Sequence, residues 1–70
     1  MSADALIREW SEAVQAADAL AREMRARMGH VCPELATPQE WRVWTAACER
    51  ERDARAALHA YAATAEREAA

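Results

Sequence analysis

Gly29, Pro33 and Pro38 are the only glycine and the only prolines in the chain, and they fall within ten consecutive residues. The stretches on either side therefore lack the two residue types that most readily break regular backbone. Such a chain has no means of making the repeated tight turns of a sheet and is punctuated for two long helices joined once. Composition agrees: 20 of the 70 residues are alanine, the strongest helix former. Leu, Ile and Val together number only eight and Phe is absent, so little is available to fill a core. A net charge of −3 and a regular apolar pattern argue against a disordered chain.

The first helix is expected over about residues 3–28. Ser2 can cap it, with Asp4 placed in the favourable first turn. Leu6, Trp10, Ala13, Ala17, Leu20 and Met24 follow alternating spacings of four and three, the rhythm of a coiled-coil seam. Adding Ile7, Val14, Ala21 and Met28 widens the apolar face to an arc of roughly 140°. Arg22, Arg25 and Arg27 suit the carbonyl end, and Gly29 suits a left-handed cap.

Residues 29–37 read as the loop, with Cys32-Pro33 disfavouring helix at the cysteine. Thr37-Pro38-Gln39-Glu40 is the most specific local signal in the chain. Thr37 and Glu40 can exchange hydrogen bonds as a capping box, and Pro38 sits where its missing donor costs nothing. The second helix is then expected over about 38–67, with Glu66 to Ala70 fraying. Its apolar face carries Val43, Trp44, Ala47, Cys48, Ala54 and Leu58, but Glu51 and Arg55 interrupt it. That pair reads either as a register-fixing device or as the mark of a partly exposed face. Asp4–Arg8, Asp18–Arg22, Glu23–Arg27 and Glu51–Arg55 have the spacing and order of helix-supporting ion pairs.

The fold class is thus all-α: one antiparallel helical hairpin over residues 1–70. The expected register puts Met24 opposite Trp41, Leu20 near Trp44, Ala17 facing Cys48 and Ile7 approaching Leu58. Two facing rods cover one side of each only, and a domain of this size buries just about 60% of its unfolded surface. Two hairpins pairing into a four-helix bundle with coiled-coil-like packing would supply the missing burial. The strip left for that homodimer contact is Ile7, Val14, Ala21 and Met28, with Leu58 and Tyr61 from the second helix.

Binding to another protein is expected at the loop end, through Trp41, Arg25, Arg27, His30 and Leu35. Trp10 and Trp44 read as core anchors. His30, Cys32, Cys48 and His59 are the only soft ligands, and their spacing matches no zinc pattern, so no metal or other cofactor is expected. Cys48 reads as a small buried hydrophobe and Cys32 as an exposed thiol.

Phosphate-binding loops, a nucleophile elbow and paired catalytic carboxylates are absent, so no catalytic residue is assigned. Acids interleave with every arginine cluster, which argues against nucleic acid and against an anionic membrane. With two cysteines and no signal-peptide pattern, a reducing cytoplasm is expected. The expected function is a non-enzymatic protein–protein interaction module, acting with itself and one other protein. The alternatives are a ligand- or metal-binding bundle and a small nucleic-acid-associated regulator.

Overall fold

The computed structural model describes residues 2–69 and consists of two helices, α1 (Ala3–Met28) and α2 (Pro38–Ala69), folded back on each other. Met1 and Ala70, the ends of the expected domain, lie outside the described residues. Each helix boundary coincides with a chemical stop signal. Ser2 is extended (φ −80°, ψ 156°), and its hydroxyl accepts the Ala5 amide at 3.2 Å. Gly29 takes φ 85°, and its own amide donates to the Arg25 carbonyl at 2.7 Å, closing α1. A Cβ at Gly29 would meet nothing within 4 Å, so it is the backbone angle that requires glycine.

The loop contains one further turn, in which the Cys32 carbonyl accepts from the amides of Leu35 and Ala36 at 3.2 Å each. The Thr37 box then forms reciprocally. The Glu40 amide donates to Thr37 Oγ1 at 3.1 Å, and the Thr37 amide donates to Glu40 Oε1 at 3.0 Å. α2 continues through Glu66–Glu68 to Ala69, past the point where fraying is expected.

The register is close to the expected one at the loop end, where Leu20 and Met24 share a cleft with Gln39, Glu40 and Val43, and departs from it at the open end. Leu6 shares a cleft with Ala54, and Trp10 bonds to Glu51, so Ile7 lies about one turn short of Leu58. α2 therefore overruns the start of α1, and every residue from His59 to Ala69 is exposed.

The core is small. Leu6, Ala13, Ala21, Met24 and Ala54 are the buried apolar residues among those described, and three of the five are alanine. Ala13, at 0% exposure, marks where the helix axes approach closely. Trp10 is 36% exposed and not core, because it sits on the flank of α1 that a single partner helix does not cover. Ile7, Leu35, Val43 and Tyr61 are exposed as well, and Trp44 is half-buried. The molecule measures 50 × 17 × 16 Å. Its radius of gyration is 15.5 Å; a compact chain of this length would have about 11 Å.

Candidate functional site: two unlike sides of the hairpin

The two helices meet along one seam and leave a lateral side on each flank. One flank is built around Trp10, whose indole Nε1 donates to Glu51 Oε1 across the seam at 3.1 Å. Arg55 Nε stands 3.9 Å from the same carboxylate oxygen. Trp44 and Cys48 line the adjoining surface, and Ile7 and Val14 continue it along α1 by helical spacing. The Glu51–Arg55 interruption is thus answered within the hairpin. The polar pair on an apolar face meets an aromatic side chain that has a polar edge.

The opposite flank carries the cross-helix ion pairs. Arg50 Nε donates to Glu9 Oε1 at 2.7 Å, and Arg50 Nη2 lies 3.8 Å from Glu12. Nearer the loop, Arg27 Nη2 donates to both carboxylate oxygens of Glu40, at 2.5 and 2.6 Å. Arg27 therefore leaves its helix neighbour Glu23 for a carboxylate on α2, whereas the Glu51–Arg55 pair forms as its spacing suggests. These groups remain in contact with water, where an ion pair fixes register more than it adds stability.

Their electrostatics follow from these contacts. The Arg50 hydrogen bond holds the Glu9 carboxyl below its ordinary range, and Glu9 in turn raises Arg50. Glu40 is lowered first by the Thr37 amide and then by Arg27. Glu34 is lowered by the Cys32 thiol, whose Sγ donates to Glu34 Oε2 at 2.7 Å. Burial, and then the Glu51 charge, push the Cys48 thiol upward.

Of the residues expected to meet another protein, His30 and Leu35 are exposed in the loop and Trp41 is half-buried at the start of α2. Arg25 and Arg27 do not act together. They are two residues apart on α1, hence about 200° apart around it, and Arg27 is engaged by Glu40. The expected self-contact strip is also uneven. Ile7 and Tyr61 are exposed and Val14, Met28 and Leu58 half-covered, while Ala21, at 6% exposure, is already enclosed within the hairpin. Tyr61 lies beyond the start of α1, on the overrun of α2. Cys32 and Cys48 are both half-buried free thiols, so Cys32 is less open, and Cys48 less enclosed, than expected.

Glu9, Glu12 and Arg50 form a cross-helix cluster that sequence reasoning missed. Their pairing depends on interhelical register and leaves no short-range spacing signal. Among the described residues no group of three His, Cys, Asp or Glu side chains is arranged to hold a metal ion. No helix of the structure is long and apolar enough to cross a membrane. No protein family, curated protein or solved structure matches the chain.

Proposed function

We propose that this protein is a non-enzymatic interaction module, an adaptor or small regulatory subunit of the cytoplasm, that works as a homodimer of hairpins joined in a four-helix bundle. The observation that carries this reading is the poverty of the single-hairpin core beside the large apolar side chains left uncovered on the Trp10 flank. The accessible surface is 5153 Å². A compact monomer of this mass would expose about 4,400 Å², so the single hairpin leaves more surface open than a compact domain does. Ile7, Trp10 and Val14 lie along one flank of α1 and provide a self-complementary stripe. Mixed charge borders that flank, with Asp18 and Glu51 against Arg25, Arg52 and Arg55. Two copies related by a two-fold axis can therefore oppose unlike charges there.

Sedimentation across a concentration series tests the reading, with Ile7→Glu and Val14→Glu as interface variants. The expected result is a dimer at micromolar concentration for the parent chain and a monomer for either variant. A parent chain that stays monomeric and melts cooperatively at the same temperature at every concentration would overturn it.

A further inference from the structure

The flank opposite Trp10 carries a second surface of different character. Two clefts lie along it, on either side of the Arg50 bridge. Leu20, Met24 and Val43 line the one nearer the loop; Leu6, Ala46 and Ala57 line the other. Leu6 and Met24 are eighteen residues apart on α1, so the two clefts together span a trough of about 27 Å, five helical turns. It is narrowed between them where Arg50 reaches Glu9 and Glu12. Its rim is strongly acidic. Glu9, Glu23, Glu40, Glu49 and Asp53 line the clefts, with Glu12 beside Arg50. The cations on this side are Arg27, Arg50 and, by helical spacing from Ala46, Arg42. Glu49 is shared with the Trp44–Cys48 surface. Arg27 and Arg50 are already held by Glu40 and Glu9, while Glu23 and Glu49 make no ion pair among the described residues.

We propose that this trough docks a basic amphipathic helix of a different protein, with its apolar stripe over Leu20, Val43, Ala46 and Ala57 and its cationic flanks against Glu23, Glu49 and Asp53. Charge decides the occupant. A second copy seated here by two-fold symmetry would bring the same acidic rim against itself, and like charges facing each other across an interface are costly. A segment with apolar residues at helical spacing and Lys or Arg beside them matches both the floor and the rim. The inference rests on the reading of the chain as an interaction module and names the class of partner.

The test uses the full chain and three labelled synthetic peptides of five turns. One is a leucine-striped helix with lysine flanks, the second has the same composition scrambled, and the third has glutamate flanks. The expected result is saturable binding of the first alone, weakened by salt. It should weaken by about tenfold when Glu23→Lys and Glu49→Lys are combined, since rim charges set such recognition. Circular dichroism should show both exposed substitutions leaving helix content unchanged, and Ile7→Glu should leave peptide binding intact. Equal binding of the scrambled or acidic peptide, or indifference to the double charge reversal, overturns the proposal. So does binding that appears only when Ile7→Glu breaks a dimer, because a second copy would then be covering the trough. A parent chain that is monomeric yet binds the cationic helix would sink the dimer reading and leave the trough standing.

Discussion

Arg27, on the last turn of α1, grips the same Glu40 carboxylate that caps the first turn of α2. The side chain that starts the second helix is therefore also the one that fastens it to the end of the first. A local folding signal and the closure of the hairpin share one carboxylate.

Substitutions at this joint should rank by how many of its roles they remove. Gln retains an oxygen for the Thr37 amide, so Glu40→Gln should lose only the charge and one of the two Arg27 hydrogen bonds, and cost no more than Arg27→Ala in thermal melts. Glu40→Ala should lose more. Thr37→Ala, which removes the acceptor for the Glu40 amide, should cost about 1 kcal/mol. Equal melting temperatures for Glu40→Gln and Glu40→Ala would show that the cap contributes nothing.

Acid should loosen the hairpin. Glu9, Glu34 and Glu40 all titrate below their ordinary range when folded. On acidification the unfolded chain therefore takes up these protons first, and stability rises with pH across that window. Their contribution is complete above the usual carboxylate range and is lost as pH falls through the depressed folded values. Melting temperature followed by circular dichroism should be level near neutrality and fall below that range, less steeply for Glu9→Gln. A melting temperature unchanged between neutrality and strong acid would contradict the ion-pair geometry.

Enlarging the seam should destabilise it although the added groups are apolar. Ala13 is wholly enclosed, and Ala13→Leu should cost about 1–3 kcal/mol by forcing the helices apart. Val14→Leu, on the uncovered flank, should be close to neutral in the single hairpin. Chemical denaturation of the two variants at equal concentration checks the contrast.

Cys48 should react slowly with thiol reagents at neutral pH, since burial and the neighbouring Glu51 hold its proton. Glu51→Gln removes the charge while keeping an acceptor for Trp10, and should speed the labelling modestly. Mass mapping of alkylated peptides over time distinguishes Cys48 from Cys32. Unchanged Cys48 kinetics in Glu51→Gln would remove the electrostatic part of the argument.

The helix limits were legible because their causes are local. Ser2, Gly29, Thr37 and Glu40 act within four residues of themselves, and each acts as its type and spacing suggest. Register was legible at the loop end, where Met24 lies close to its expected neighbours, and not at the open end. There it depends on how the two rods cross, which is not written in spacing along one helix. The exposure of Trp10 follows from the same gap: an apolar arc can be read from sequence, but how much of it one neighbouring rod covers is a matter of three-dimensional crossing. The Arg50 bridges were invisible for that reason too, while the mixed charges that form them were plain.

Every residue from His59 to Ala69 is exposed, and a free peptide of that length would be only marginally helical in water. Here the helix continues from turns that are already nucleated, which spares it the cost of starting one. This end of the molecule therefore behaves as a mast stepped into the hairpin. Its length and composition are open to change without disturbing the joint at the far end, and whatever is attached at its tip would be held about 16 Å clear of the first rod.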